Sequence, residues 1–503
     1  MWLSALEAHA SKRSSGIAIA EVGPAGAISR SVTHAEFFAA VRARAHDVSE
    51  SLAPGETMLA ALPSGIALAT WFAGALAAGV RLVLMHPSSG DGEFASVSAR
   101  ANVKAAVKLD GELRLASSSV SKDAGRRGTS EHSHGAIVLG SSGSTGLPKL
   151  AIRSAAALDA DASAVSDGLT LTPDDVILFV PPLCHSYGVD VLVGAMLSGA
   201  ALRVMTAFEP AGVTVQLARG VTVLPGVPFL YESLAWLART PPGSAAAGSA
   251  AAGSALAGSV PTTAAAHSLR VALSAGSPLA PRVRDGFQNR WNIRIGQLYG
   301  ATELGTVAIN LPGSGLGEGS IGVPLPGVSF RIVDPENSAR ELPPGREGEL
   351  AVRAPSMLSG YVDADCPLAD GHFLTGDLAR IDPSGNATLT GRLRLLIDTG
   401  GFKVNPLEVE SALAEHPGVA ECVVVPFALS DTVQRPHALF VATDPDRPPT
   451  ASELRAFLRR SLAPVKIPRS FQVVASLPKT PTGKPARNQL SSGSRSCTDP
   501  RGE

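Results

Sequence analysis

The segment Gly140-Ser-Ser-Gly-Ser-Thr-Gly-Leu-Pro-Lys149 combines flexible backbone, hydroxyls and a cation. Glycines let backbone N–H groups approach phosphate oxygens, and hydroxyls and a lysine add donors and charge. It is not a Walker A loop, because Leu147-Pro148 separate the last glycine from the lysine. The plain alternative is a Ser/Gly turn after the apolar run Ala136–Leu139, and the Pro-Lys ending favours the phosphate chemistry. Four further segments carry side chains of chemical use. Tyr299-Gly-Ala-Thr-Glu303 offers a hydroxyl and a carboxylate, or else a helix N-cap with an acid in the first turn. Thr375-Gly-Asp377 lies fifteen residues before Arg392. A carboxylate accepts two hydroxyl hydrogens more strongly than a neutral group does. Pro182-Leu-Cys-His-Ser-Tyr-Gly188 carries His185, and Pro478-Lys-Thr-Pro-Thr-Gly-Lys484 ends on a lysine. Taken singly, each of these side chains is ordinary solvated or packed structure. Glu131-His-Ser-His134 sits in a polar linker and is assigned no metal role.

In this order the segments resemble the superfamily of acyl-CoA synthetases, nonribosomal-peptide adenylation domains and beetle luciferases, and come nearest to the acyl-CoA synthetases. The resemblance covers nearly the whole chain. It implies ATP-dependent conversion of a carboxylic acid to an acyl-adenylate, with Mg²⁺, followed by transfer to the thiol of coenzyme A or of carrier-protein phosphopantetheine. By resemblance, Ser141, Ser142, Gly143, Ser144, Thr145, Gly146 and Lys149 meet the phosphates. Tyr299, Gly300 and Ala301 border the nucleotide, Thr302 donates to a phosphate oxygen, and Glu303 holds Mg²⁺, which prefers oxygen ligands and few carboxylates. Gly276 and Ser277, in Ser274-Ala-Gly-Ser-Pro278, line the adenine and the acyl pocket. Asp377 and Arg392 hold the ribose, and Gly401, in Gly400-Gly-Phe-Lys-Val404, faces the site during thioester formation. Lys484 stabilises charge redistributed around the α-phosphate and the attacking carboxylate.

His185 then stands at the acyl pocket. Amino-acid-activating relatives carry Asp after this position to pair with the substrate ammonium; here Ser186 stands there. A buried ammonium without a carboxylate is poorly compensated, so a neutral-tailed acid, fatty or aryl, is expected. The implied pocket wall, Val189, Val227, Phe229, Ala275 and Val307, is apolar, and Asp190 is the one acid that would reverse this if it pointed inward. The usual Gly-Arg-x-Lys-Asp hinge reads Gly391-Arg-Leu-Arg-Leu395, placing Leu395 at the hinge and Arg394 for Lys. No long insertion separates Tyr361 from Thr375, which favours a complete thioester-forming enzyme. The alternatives are a ligase that loads a carrier protein and a non-catalytic nucleotide-binding homologue.

The elements that must position these residues follow from pattern. The 503 residues exceed one ordinary core, and 45% hydrophobic with 17% charged content suits a globular chain. A strand–helix–strand rhythm runs through Glu56–Leu62, Ser64–Ala78 and Arg81–Met85, and again through Val176–Val180, Asp190–Ser198 and Ala201–Met205. It predicts an α/β fold: a large N-terminal domain, 1–392, with packed mixed sheets, and a small mobile α+β domain, 396–490, with the active site between them. Capping-box patterns at Thr33 and Thr450 and an N-cap at Asn405 open helices. The Gly-Ser-Ala-Ala-Ala repeats of 241–266 read as a flexible surface insert and 491–503 as a disordered tail. The apolar run Ile66 to Met85 contains Gly74, Gly79 and Arg81 and reads as a buried helix and a strand, not a membrane span. A net charge of −1 gives no attraction to nucleic acid. Four scattered cysteines and the absence of a signal-peptide pattern fit a cytoplasmic protein.

Overall fold

The computed structural model describes residues 1–115, 135–141, 149–236, 267–314, 319–398, 403–428, 434–462, 464–480 and 485–490. Two large sheets have parallel centres and antiparallel edges. The first runs Gly305–Asn310, Ile295–Ala301, Val271–Ala275, Val223–Gly226, Val176–Phe179, Ala201–Met205, Ile17–Val22 and Ile28–Thr33 in spatial order. The second runs Gly360–Tyr361, Lys149–Ser154, Ala136–Ser141, Arg81–Leu84, Thr57–Ala60, Val103–Val107 and Leu113–Leu115. Parallel strands need crossover connections, and helices supply them, as the sequence rhythm requires.

Two of those helices, Ile66–Ala77 and Ser186–Ser198, are buried on nearly every side. A helix apolar all round belongs inside a core. One continuous core contains both helices, Ile177 and Leu202 from the first sheet, and Met58, Leu82 and Ile137 from the second. The helices therefore lie between the sheets. Small residues permit the approach: a Cβ on Gly74 would stand 2.6 Å from Arg44 Cβ, and one on Gly194 would stand 2.7 Å from Val165 Cγ1. The Ile66–Ala77 helix has 12 residues and gives way to the strand Arg81–Leu84. Among the described residues no helix is long and apolar enough to cross a membrane.

A third, antiparallel sheet contains His372–Ile381 and Ala387–Arg392, and its core includes Tyr299, Leu304 and Val307 from the edge of the first sheet. The chain then makes one short 3₁₀ helix, Leu393–Leu395, and enters a small C-terminal domain. There the strands Val419–Ala428, Gln434–Ala442 and Ser470–Val473 form one sheet, and the helices Pro406–Ala414 and Ala451–Leu458 share its core. Both capping boxes form: Glu36 N donates to Thr33 Oγ1 at 3.2 Å while Thr33 N donates to Glu36 Oε2 at 2.8 Å, and Thr450 repeats the pattern with Glu453. The Asn405 side chain caps the Pro406–Ala414 helix. The insert at 241–266 and the tail at 491–503 lie outside the described residues.

The small domain touches the large one through polar contacts. Arg282 Nη1 donates to Val419 O at 3.0 Å. Lys479, ion-paired with Glu421 at 2.9 Å, places its ammonium 5.0 Å from the centre of the Phe229 ring.

Candidate active site

The Tyr299–Glu303 segment ends one strand and begins the return. Strand Ile295–Ala301 pairs antiparallel with Gly305–Asn310, with Ala301 opposite Gly305. Thr302 and Glu303 thus occupy a tight turn between strands; the helix N-cap that their types also allow does not form, because the chain reverses at once. Glycine is required at 300, where a Cβ would overlap Gly305 O, and Gly305 has φ +67°. The turn holds Glu303 half-buried, with Leu358 N donating to its carbonyl at 2.7 Å.

This turn joins two groups of side chains. At its start, Tyr299 Oη donates to Asp377 Oδ2 at 2.7 Å. Asp377 is buried, and its other oxygen pairs with Arg392 Nε at 2.6 Å. Asp377 and Arg392 face each other on adjacent strands, so the sheet register itself brings them together. Burial, and then the Asp377 charge, push the Tyr299 hydroxyl well above its ordinary pKa, so it stays protonated and donates. Asp377 N also accepts order from Thr375, donating to its Oγ1 at 3.0 Å. At the end of the turn, Glu303 Oε1 accepts from Tyr361 Oη at 2.9 Å, and Lys149 Nζ stands 5.0 Å from the centre of the Tyr361 ring. Strand pairing sets that contact, with Tyr361 opposite Ala151, two residues after Lys149.

Gly276 and Ser277 lie exposed just past the C-terminal end of strand Val271–Ala275, Gly276 with φ +87°. His185 is the N-cap residue of the helix Ser186–Ser198, in extended conformation and half-buried. Its segment is tied down by Leu183 N donating to Ser64 Oγ at 2.9 Å. Gly188 is needed there, because a Cβ would overlap Leu183 Cα and Pro182 O. Ser141 ends the strand Ala136–Ser141. Ser142, Gly143, Ser144, Thr145, Gly146, Gly401 and Lys484 lie outside the described residues.

The five residues of the implied pocket wall come from several elements. Val189 and Ala275 share the core between the sheets, but Val307 packs in the core of the antiparallel sheet. Phe229 is 39% exposed and turns to Phe208 and to the Lys479 ammonium. A half-open cleft of about 360 Å³ lies elsewhere, lined by Arg13, Ile17, Ser31, His34, Asp174 and Arg203, and shares no lining residue with this site.

Asp190 does not lie along the exposed helix surface; it is buried and paired. Its Oδ1 pairs with Arg153 Nη1 at 3.1 Å and its Oδ2 accepts from Thr306 Oγ1 at 3.2 Å. Arg153 Nη2 also pairs with Asp161, whose Oδ1 accepts from Thr306 N at 2.9 Å, and Arg153 Nε donates to Ser356 O at 3.1 Å. Arg153 and Asp161 are fully buried, and burial alone would lower the guanidinium pKa; the two carboxylates outweigh it and raise it. Sequence reasoning passed over Arg153, Asp161 and Thr306. The available signal was an arginine in the apolar strand Leu150-Ala-Ile-Arg153 and an acid in the alanine-rich helix Ala155–Gly168.

A fold of mixed sheets with a small domain beyond a short 3₁₀ turn, and a turn joining an Asp–Arg–Tyr group to a Glu–Tyr–Lys group, defines a class. The chain belongs to the AMP-binding enzyme family: that family's model matches residues 6–362, and the model of its C-terminal domain matches 408–484. A fatty acid–[acyl-carrier-protein] ligase of Streptomyces coeruleorubidus, ScoC, is 32% identical over 368 residues, 70% of this chain and 66% of that protein. A mitochondrial acyl-coenzyme A synthetase of Rattus norvegicus, ACSM4, is 34% identical over 44% of this chain and 40% of that protein. These matched stretches span less than two thirds of each relative. The ATP-bound crystal structure of MatB from Rhodopseudomonas palustris shares the fold, with TM-score 0.81 at 24% identity, over 98% of this chain and 99% of that one.

Proposed function

We propose that the protein uses ATP to activate a non-amino carboxylic acid, fatty or aryl, as an acyl-adenylate and then passes the acyl group to a thiol, with coenzyme A the first choice. One observation carries this: the Tyr299–Glu303 turn holds Asp377 and Arg392 at one end and Tyr361 and Lys149 at the other. In this reading, the group at one end serves the ribose diol and the group at the other serves the phosphates. Family membership and the names of the relatives above support it.

In the first step a carboxylate oxygen attacks the α-phosphorus, and the bond to pyrophosphate breaks with its electron pair going to the leaving group. In the second, a thiolate attacks the acyl carbon and AMP leaves. Asp377 accepts from the ribose hydroxyls, since each carboxylate oxygen keeps a free lone pair beside Tyr299 and Arg392. Lys149, with Ser141, Ser142, Gly143, Ser144, Thr145 and Gly146, holds the phosphates, and Thr302 adds a donor. Lys484 supplies positive charge to the first transition state. Among the described residues no three His, Cys, Asp or Glu cluster as a metal cage. A single carboxylate, Glu303, with one oxygen engaged by Tyr361, suits Mg²⁺, which keeps waters and substrate phosphates as its other ligands. Bound there, Mg²⁺ would neutralise phosphate charge. The domains, 1–392 and 396–490, move about Leu395 between the two steps, in the cytoplasm, where unpaired Cys184, Cys366 and Cys422 stay reduced.

The engagement of Asp190 by Arg153 and Thr306 removes the acid that an amino-acid ammonium would need. A pyrophosphate-release assay over a panel of acids tests the assignment. Octanoate or a benzoate should be turned over, with amino acids at background. Selective turnover of an amino acid would overturn the substrate class, and no acid above solvent would overturn the activity. The ScoC relative favours a second acceptor, a carrier-protein phosphopantetheine, which offers the same thiol.

A further inference from the structure

The buried Arg153 cluster contains none of the site residues above, yet all its members but Asp161 lie close in sequence to a segment of the site. Arg153 is on the strand Lys149–Ser154 that Lys149 begins. Asp190 is in the first turns of the helix that His185 caps. Thr306 is three residues beyond Glu303 on the return strand. Ser356, whose carbonyl accepts from Arg153, lies two residues before Leu358, whose N–H binds the Glu303 carbonyl. Asp161 closes the group from the helix Ala155–Gly168, its carboxylate accepting from Arg153 and from Thr306 N.

We propose that Arg153, Asp161, Asp190 and Thr306 form a positioning cluster that sets the phosphate-binding strand, the acid-binding start of the Ser186–Ser198 helix and the Glu303 turn in register with one another. The physical ground is the planar guanidinium, which reaches three elements at once in fixed geometry. Breaking one partner of a buried charged network leaves another unsatisfied, so such a network has few alternative arrangements. Space is as tight as bonding: a Cβ on Gly305 would stand 2.5 Å from Arg153 Nη2 and 2.8 Å from Asp161 Oδ1. One cation faces two carboxylates, and burial followed by the Asp161 charge pushes Asp190 well above the ordinary carboxylate range. Arg153 thus has carboxylate partners on two helices, so its buried charge is compensated. That removes the large cost of an uncompensated buried charge. Small displacements matter at the site because reacting groups misplaced by about 1 Å can cost on the order of a hundredfold in rate.

The cluster's role rests on the acid-activating function proposed above, and any acid the wild-type enzyme turns over serves for its assay. Thr306→Val keeps shape and removes only the hydroxyl link between the helix and the turn. It should lower kcat for pyrophosphate release about tenfold and raise KM for the acid. Mg-ATP affinity, measured directly without any acid, should weaken, with the thermal midpoint within a few degrees of wild type. Thr306→Ser, which keeps the hydroxyl, should restore most of the rate. Arg153→Lys keeps the charge but not the fork and should be slower still; if it does not fold, the Thr306 pair decides alone. Unchanged kcat, KM and ATP affinity in Thr306→Val would overturn the proposal, as would a loss of rate matched only by a loss of folded protein. Failure of the acid class would show on the wild type, and failure of the positioning role only on the variants.

Discussion

The roles proposed for Asp377 and Lys484 are of opposite kinds. Asp377 is buried and held by Tyr299 and Arg392, so its proposed role needs no rearrangement. Lys484 closes a Pro/Thr/Gly segment and lies outside the described residues; its proposed role is charge delivered at the moment of reaction. Lys484→Ala should therefore leave ATP affinity and fold nearly intact and cut acyl-adenylate formation. One well-placed transition-state charge is worth on the order of 3 kcal/mol, about a hundredfold. Attack by coenzyme A on supplied acyl-adenylate should survive better. Wild-type adenylate formation in the mutant would remove Lys484 from the mechanism. At this scale the sequence was legible where a motif is contiguous, as at Thr375-Gly-Asp377. It was not where partners come from far along the chain: Arg153 meets Asp190 across 37 residues, and Thr306 meets Asp161 across 145.

Helix starts were legible because a capping box is satisfied within four residues. Thr33 with Glu36, and Thr450 with Glu453, make the same reciprocal bonds in the structure that their spacing predicts. Thr302-Glu303 shows the opposite case. Locally it reads as another helix start, but Gly300 and Gly305 allow the strand to fold back, and the long-range sheet wins over the local preference. The Leu393–Leu395 element is the hinge candidate, one 3₁₀ turn between the antiparallel sheet and the small domain. Its hinge position is apolar, so any swing must come from backbone rotation and not from a charged side chain changing partners. Leu395→Pro fixes φ at 395 and drives residue 394 out of the helical region. On the domain movement proposed between the two steps, acyl transfer to the thiol should slow more than pyrophosphate release. Equal slowing of both, read by quench-flow of each half-reaction, would count against a hinge here.

Across the whole molecule, the α/β class followed from alternating strand and helix patterns, while the way the two sheets enclose their helices did not. Periodicity shows that a helix is apolar all round without showing what covers it. By composition, the alanine–glycine–serine repeats of 241–266 contain too little apolar bulk to form a core. Deleting 243–258 should leave the thermal midpoint and pyrophosphate release nearly unchanged, since loop length alters closure entropy only slowly. A clear loss of either would give the insert a structural or functional part.

The helices Ile66–Ala77 and Ser186–Ser198 are buried on nearly every side, in a core that draws residues from both sheets. Neither sheet can be completed early by local contacts, because its parallel strands pair across long stretches of chain; Ile19, for example, lies beside Leu202. During synthesis the first of these helices emerges well before strands of the first sheet such as Val271–Ala275 exist to cover it. Until those strands arrive, part of its apolar surface lacks its final cover, so refolding from denaturant should compete with aggregation and gain yield on dilution.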